Sequence, residues 1–287
     1  MSTQITTAFV QQFSSNVQLL SQQMGSVLRT SVSEESVTGE KAFFDQVGSS
    51  AAVKRTSRHG DTPVVDTPHS RRMVTMDTYE WADLIDDADK VRMLIDPTSA
   101  YARTAAAAMG RAMDDAIIEA ATGTAKTGKS GSTSTALPAG QQIGADSSDL
   151  TLDKLIEAKK KFDLASVDPS IPRFMVVGPD QIEALLGNTT ITSSDFNTVK
   201  SLVRGEIDTF MGFKFLLSTR LAKSGNVRKC FAFAGDGIKL AMGKDVMSRI
   251  EERADKSFST QVYYCSTFGA TRMEEEKVVE ISCDESA

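Results

Sequence analysis

The sequence predicts an α+β fold in which one long helix precedes a strand-rich remainder. Two observations predict it. The run SAYARTAAAAMGRAMDDAIIEAAT has the composition of a helix, and the last third of the chain alternates apolar and polar residues as strands do. With 287 residues, 40% of them hydrophobic and 24% charged, the composition is that of an ordinary globular protein. The chain is long enough for one large domain or two smaller ones.

An apolar seam marks the N-terminal segment. Between residues 5 and 29, apolar side chains recur at steps of three and four, which predicts a helix with one apolar face. The seam consists of Val10, Phe13, Val17, Leu20, Met24 and Val27. Such a helix can pack on its own domain, or it can be an arm that docks on another subunit. The polar stretch that follows indicates an extended link to the rest of the protein.

A locally basic segment comes next in an otherwise acidic chain. Its cations are Lys54, Arg55, Arg58, Arg71 and Arg72. Thr-Pro pairs at 62–63 and 67–68 favour extended geometry before each proline, and the flanking valines and threonines fit the strands of a long hairpin or loop. An extended segment cannot bury its own charges, so we expect these five side chains to face another subunit.

An acidic run around Trp81 follows the basic segment. Its carboxylates are spaced as on one solvated face of a helix, and they include Asp83, Asp86, Asp87 and Asp89. The run lacks the oxygen-rich loop and bidentate glutamate of a calcium site, so no metal is expected. Its charge makes it the predicted partner of the basic segment across a subunit boundary.

The long helix is predicted over residues 97–122. Asp96 can cap its N-terminus, Pro97 suits the first turn, and Gly123 can adopt the left-handed conformation that ends a helix. At 1.5 Å per residue, about 26 residues form a rod of roughly 39 Å. Its alanines allow close backbone approach, which is typical of a structural strut.

Shorter elements are predicted in the rest of the chain. Helices are expected over Leu150–Leu164, where Phe162 lies on the apolar face, and after Pro179. Strands are predicted at Arg173–Pro179, Met211–Thr219 and Lys229–Gly243, and from Ser248 onward.

One segment matches a phosphate-binding signature. Gly123–Ser130 reads GTAKTGKS, which fits G-x-x-x-x-G-K-S. That loop binds phosphate when a buried strand precedes it and a helix follows. Here the long helix precedes it and GSTSTALPAG, a poor helix former, follows. A P-loop nucleotide hydrolase is therefore an alternative function, although the motif here follows a helix instead of preceding one.

No other pattern indicates an enzyme. The two histidines, His59 and His69, lie in the basic segment without a grouped nucleophile. The three cysteines are an odd number without metal-ligand spacing, which favours reduced thiols. No catalytic residue and no cofactor are expected. No apolar run approaches the roughly 20 residues that cross a bilayer, so no membrane partner is expected.

The order of these elements resembles the major capsid protein of tailed bacteriophages, the Hong Kong ninety-seven type fold. An arm leads to a charged extended loop and to a spine helix that ends in AIIEAATGTA. The segments FMVVGPDQIEALL, GFKFLLSTR and FAFAGDGIKLAMG are similar to the axial domain of that family. The resemblance implies an N-terminal arm at 1–47, an extended loop at 48–76, a peripheral domain at 77–150, an axial α/β domain at 151–247, and a strand-rich return with a tail at 248–287.

The resemblance also implies a structural function, as the subunit that self-assembles into an icosahedral phage head around double-stranded DNA. Its partners would be further copies in hexamers and pentamers, and a portal. The long coiled scaffolding region of the prototype is missing, so either a separate scaffolding protein is a further partner or residues 5–29 do a reduced version of that job. A decoration protein is an optional addition. The net charge of −6 argues against tight DNA binding, so DNA would be enclosed without sequence specificity. Assembly would occur in the host bacterial cytoplasm, and the product would be the virion. A protein-cargo compartment of the same fold is the second alternative.

Overall fold

The computed structural model describes residues 22–85, 98–187 and 209–286, and its architecture is the predicted α+β. In these ranges the α-helices are α1 (Thr98–Thr122), α2 (Leu152–Leu164) and α3 (Pro179–Gly187). No helix in these ranges is long and apolar enough to cross a membrane.

The strands are named in chain order. The first eight are β1 (Ser33–Ser36), β2 (Lys41–Val47), β3 (His69–Thr75), β4 (Asp77–Ile85), β5 (Ala125–Thr127), β6 (Thr133–Thr135), β7 (Gln142–Ile143) and β8 (Arg173–Val177). The others are β9 (Thr209–Phe210), β10 (Phe213–Leu217), β11 (Lys223–Ser224), β12 (Val227–Ala234), β13 (Ile238–Arg253), β14 (Ser259–Arg272) and β15 (Val278–Asp284).

Two compact units divide the described residues. Unit 1 contains residues 22–26, 78–85, 98–112 and 244–266, and unit 2 contains residues 27–77, 113–187, 209–243 and 267–286. Each unit is assembled from segments that are far apart in the sequence. The predicted division into arm, loop, peripheral domain, axial domain and return stays a prediction.

The largest sheet lies in unit 2 and has the order β7-β15-β12-β8-β10-β9, with β11 paired to β12. Strand β12 is antiparallel to β8 and β15, whereas β8 and β10 are parallel. Aromatic side chains fill its core. Phe162 of α2 packs on Phe213 of β10 with ring centroids 5.9 Å apart, and Phe231 and Phe233 are fully buried. The strands predicted in this part of the chain, and both predicted helices, are confirmed.

A second sheet of unit 2, in the order β2-β3-β5-β6, supports the extended loop. Strands β2 and β3 form an antiparallel hairpin in register from Lys41 opposite Thr75 to Val47 opposite His69. Alternate residues of the hairpin point inward and pack in one apolar cluster, which contains Ala42, Phe44, Val74, Met76, Ala241 and Met273. Of the two strands predicted within residues 53–74, only β3 is found there, and it is joined by a long loop to β2, which lies in the segment predicted to be an extended link.

The acidic run is a strand up to residue 85, so the predicted helix is wrong there. Residues of β4 alternate between exposed and half-buried, with Tyr79, Trp81 and Asp83 on the half-buried side and Ile85 buried. Aromatic and β-branched residues with a period of two favour a half-buried strand, and this outweighed the helical spacing of the carboxylates. Asp86, Asp87 and Asp89 lie outside the described residues.

The long helix α1 confirms the prediction within one residue. The prediction that Gly123 adopts the left-handed conformation is wrong. Asp96 and Pro97 lie outside the described residues. Gly123 is not among the residues with positive φ, and its N–H donates to the Glu119 carbonyl at 2.8 Å. Glycine is needed here for space, because a Cβ would lie 2.4 Å from the Glu119 oxygen.

The segment before β1 is irregular rather than helical over residues 22–28, so the predicted helix does not extend to residue 29. Met24, a member of the predicted seam, is 60% exposed. Val27 is half-buried, and the other four members of the seam, Val10, Phe13, Val17 and Leu20, lie outside the described residues. In unit 2, the Asp114 carboxylate accepts hydrogen bonds from the N–H groups of Val27 and Leu28, both at 3.1 Å.

Gly110 tests how closely this segment approaches α1. A Cβ at Gly110 would lie 2.3 Å from the carbonyl carbon of Gly25. Alanine favours a helix interior over glycine by about 1 kcal/mol, whereas overpacking costs about 1–3 kcal/mol. We therefore expect Gly110→Ala to lower the free energy of unfolding in urea. Gly140→Ala is the control, because nothing lies within 4 Å of that position. A Gly110→Ala protein more stable than the parent would show that the close approach is absent.

Candidate functional site

A long exposed loop is the most conspicuous surface feature of unit 2. All twenty residues from 47 to 66 are exposed, and the loop is closed at its base by a hydrogen bond from the Gly48 N–H to the Pro68 carbonyl at 2.8 Å. Three of the predicted interface cations, Lys54, Arg55 and Arg58, lie on it. The loop has the exposure and the charge of a surface that another chain could cover.

Arg71, at the base of the loop, is already paired within its own subunit. It lies in β3 opposite Asp45 of β2, and its guanidinium donates to both carboxylate oxygens, Nε–Oδ1 at 2.5 Å and Nη2–Oδ2 at 3.1 Å. The hydrogen bond from Arg71 lowers the pKa of Asp45 below its usual value. Arg71 also lies over the Phe43 ring, with Cζ 5.5 Å from the centroid. It belongs to the anchored end of the loop.

Arg72 is buried, which corrects the expectation that all five cations are exposed. Inward-pointing residues alternate in β3, so Arg72 and Val74 share the buried face. Its Nε donates to the Met273 carbonyl at 2.7 Å, and its Nη2 donates to the two carboxylate oxygens of Glu275 at 2.7 and 2.6 Å. Arg72 therefore ties the loop base to the segment between β14 and β15.

A second guanidinium, of the fully buried Arg272, extends this network. Its Nη1 donates to the carbonyls of Ala121 and Gly123 at 2.9 and 2.7 Å, and its Nη2 donates to the Thr135 carbonyl at 3.1 Å. Burial lowers the pKa of Arg272 below its usual value. This effect outweighs the attraction of Glu275, 3.8 Å from the Arg272 Nε, which acts in the opposite direction. Because the last carbonyls of a helix lack intrahelical partners, Arg272 completes the C-terminus of α1.

Sequence reasoning missed this cluster of Arg72, Glu275 and Arg272, which we call the anchor cluster. No sequence pattern singled out Glu275 or Arg272. The partners of Arg72 lie about 200 positions away in the chain, at sequence separations of 201 and 203. No local pattern identifies them.

The segment with the P-loop signature is a β-hairpin. Residues 123–130 run from the end of α1 through β5 into a turn in which Gly128 has φ 90° and Gly131 has φ 68°, and β6 follows. A helix precedes the motif and a strand follows it, so the helix N-terminus that would bind phosphate in a P-loop is replaced by a strand. The geometry does not support a nucleotide site.

Other residue types with catalytic or metal-binding chemistry are dispersed. His59 lies in the exposed loop and His69 at the start of β3. The three cysteines are buried thiols. In the part of the chain that the structure describes, no group of three or more His, Cys, Asp or Glu side chains could hold a metal ion. Asp83, the one described member of the predicted acidic partner, accepts a hydrogen bond from the Leu84 N–H at 2.8 Å.

Comparisons with known proteins point in one direction. The sequence model of the family described as "Phage capsid protein" matches residues 5–285. The structure is similar to "Capsid structure of the Cyanophage P-SCSP1u", with a TM-score of 0.75 and 17% identity over 99% of this chain and 95% of that chain. It is also similar to the Cyanophage Pam1 capsid, with a TM-score of 0.72 and 13% identity over 98% of both chains.

A third similar structure is the capsid of Ralstonia phage GP4, with a TM-score of 0.72 and 10% identity over 96% of this chain and 95% of that chain. No curated protein matches the sequence. At these identities the structural similarity establishes the fold.

The anchor cluster predicts that the loss of the Glu275 charge strongly lowers the free energy of unfolding. Glu275→Gln would leave two buried guanidinium groups without a counter-charge, and breaking a buried ion pair in this way costs about 3–5 kcal/mol. We expect a loss of that order in the free energy of unfolding of the unassembled subunit, measured in urea. Glu276→Gln removes the same charge from the adjacent exposed residue and should change stability little. Equal stability of the two variants would contradict the role of the cluster.

Proposed function

The chain belongs to the phage capsid protein family, and we propose that its shell is the icosahedral head of a tailed phage that encloses double-stranded DNA. The protein is a major capsid protein, a structural component of the virion rather than an enzyme. Copies of it self-assemble into a shell of capsomers. Hexamers and pentamers of this chain are the capsomers that we propose.

The observation that carries this proposal is the exposed loop on its fixed base. Twenty consecutive residues extend from the surface, while β2, β3 and the anchor cluster hold the two ends of the loop. An isolated domain gains little from such a segment, because it buries no apolar area there. In a shell, the loop would overlie the neighbouring subunit and increase the contacts that each subunit makes.

Charge complementarity supports a specific contact between subunits. Lys54, Arg55 and Arg58 are exposed on the loop, and the acidic run of a neighbour, Asp83, Asp86, Asp87 and Asp89, is the proposed partner. Arg71 and Arg72 contribute by fixing the base. An exposed ion pair contributes about 0–1 kcal/mol, so a single pair adds little to the contact between subunits. Repetition in every capsomer would set the register of neighbours and make assembly dependent on salt.

Further partners follow from the same function. A portal and a separate scaffolding protein would act during assembly in the host bacterial cytoplasm, and a decoration protein could bind the finished shell. The DNA would be held without sequence specificity, because the chain has a net charge of −6 and strong phosphate contacts would require a basic surface. The apolar seam of Val10, Phe13, Val17, Leu20 and Met24 is the proposed docking surface of the N-terminal arm.

Electron microscopy of particles from infected cells tests the function. We expect closed icosahedral shells built from this chain, with DNA that resists added nuclease until the shells are disrupted. Shells that contain protein cargo and no nuclease-resistant DNA would favour the encapsulating compartment. Absence of shells would contradict self-assembly of this chain.

Charge reversal tests the contact between loop and acidic run. Arg55→Glu with Arg58→Glu should block assembly, because it places like charges against the neighbour's carboxylates, and Asp86→Lys with Asp87→Lys in the same chain should partly restore it. Sedimentation across a range of salt concentrations measures the assembled fraction. Lys159→Glu with Lys160→Glu changes the net charge equally on α2 and is the control.

If the loop variant assembles like the parent at every salt concentration, the loop is held by backbone pairing and shape instead of charge. If the control blocks assembly as strongly, net charge rather than the loop contact controls assembly.

Deletion of residues 1–21 tests the proposed arm. The deletion keeps the contacts of Arg111, whose Nη1 donates to the Gln22 side-chain oxygen at 3.1 Å and to the Gln23 backbone carbonyl at 3.2 Å. The truncated chain should therefore remain folded by circular dichroism but yield fewer shells. Normal shells in normal amounts would show that the arm is dispensable.

A further inference from the structure

We propose that the cleft between β3 and the β5–β6 hairpin binds an oxyanion, either inorganic phosphate or a carboxylate of a second copy of this chain. The cleft lies within unit 2 and has a volume of about 710 Å³. Arg71 and Arg72 line it from β3, and Gly128 and Lys129 line it from the hairpin turn. Binding of a carboxylate from a second copy rests on the proposed shell, whereas binding of inorganic phosphate does not.

Positive charge exceeds negative charge in this cleft. Three of its lining residues are cations, Arg71, Arg72 and Lys129, and one is a carboxylate, Asp45. Both oxygens of Asp45 already accept from Arg71. In a chain with a net charge of −6, this is a local excess of cations that an anion would neutralise.

The anchor cluster beneath the cleft adds to the excess. Arg72 and Arg272 share the single carboxylate of Glu275, and both are buried. Arg72 Nη1 and Arg272 Nε have no hydrogen-bond partner among the described residues. Arg272 is linked to the cleft wall, since its Nη2 donates to the carbonyl of Thr135, which lines the cleft. An anion in the cleft would therefore be attracted by two guanidinium groups that share one counter-charge.

The hairpin turn is held close to β3, which brings Lys129 to the cleft. Gly131 has φ 68°, and a Cβ there would lie 2.2 Å from the Met73 sulfur and 2.9 Å from the Met73 Cβ, so glycine favours this approach. Lys129 is exposed, and within the described ranges its ammonium makes no ion pair. Three ammonium hydrogens are thus available for an oxyanion.

The cleft on the other side of Arg72 has the opposite character. Glu274, Glu275 and Glu276 line it, and Glu274 is paired with Lys277 at 3.0 Å. The cation excess is therefore confined to the side formed by β3 and the hairpin turn. Because none of the described residues that line that side belongs to a helix N-terminus, a nucleotide should gain nothing there beyond the binding of its phosphates.

Phosphate titration of the unassembled full-length subunit tests the site. Thermal unfolding is followed in sodium phosphate and in sodium chloride at equal ionic strength. We expect phosphate to raise the unfolding temperature of the parent beyond chloride. Lys129→Ala, and independently Lys129→Gln, should weaken the apparent affinity about tenfold, which is the effect of losing one charge-assisted hydrogen bond.

Lys126→Ala is the matched control. Lys126 lies on β5 of the same hairpin, is exposed, does not line the cleft, and donates to the Ser134 hydroxyl at 2.8 Å. Its variant should bind phosphate like the parent. If phosphate has no effect beyond chloride, or if the Lys129 variants respond like the parent, the site does not exist.

Assembled shells distinguish the two sources of the anion. If subunits bind phosphate and shells do not, a carboxylate of a neighbouring copy occupies the cleft in the shell. If both bind it, the ligand is the free ion. Either result is consistent with the oxyanion site. The presence of shells is determined separately by electron microscopy, so failure of the site and failure of the proposed function can be distinguished.

Discussion

One carboxylate shared by two buried guanidinium groups holds the loop-bearing hairpin of this protein in place. Glu275 accepts from Arg72 of β3, and Arg272 reaches the last carbonyls of α1 and the backbone of β6. Desolvation offsets much of the attraction in such a cluster. Its main effect is therefore positional, because the base of the loop, the end of the long helix and the β5–β6 hairpin cannot move independently without breaking it.

This fixed base supports the function that we propose for the exposed loop. Ordering the backbone of one residue costs roughly 1–2 kcal/mol, and residues 47–66 bury almost nothing in their own subunit to offset that cost. In the shell that we propose, the compensating contacts come from a neighbouring copy. A rigid base directs the loop to that copy, and many weak ion pairs then fix the register without making any single pair essential.

The long helix could be predicted closely because its signals are local. Helical composition and the change of composition after Thr122 define its extent, and the strands around Phe231 have an equally local apolar pattern. The acidic run could not be assigned in the same way, because Tyr79, Trp81 and Ile85 support a strand while the carboxylates support a helix. The buried state of Arg72 depends on Glu275 across 203 positions, so it follows from the register of folded strands and not from any sequence window.

Hydrogen–deuterium exchange compared between unassembled subunits and shells tests the central claim most directly. The account predicts slow exchange in both states for the N–H groups that pair β2 with β3. It predicts fast exchange for residues 49–66 in subunits that becomes slow in shells. Fast exchange of β2 and β3 in subunits would contradict a fixed base. Unchanged fast exchange of the loop in shells would contradict its contact with a neighbouring copy.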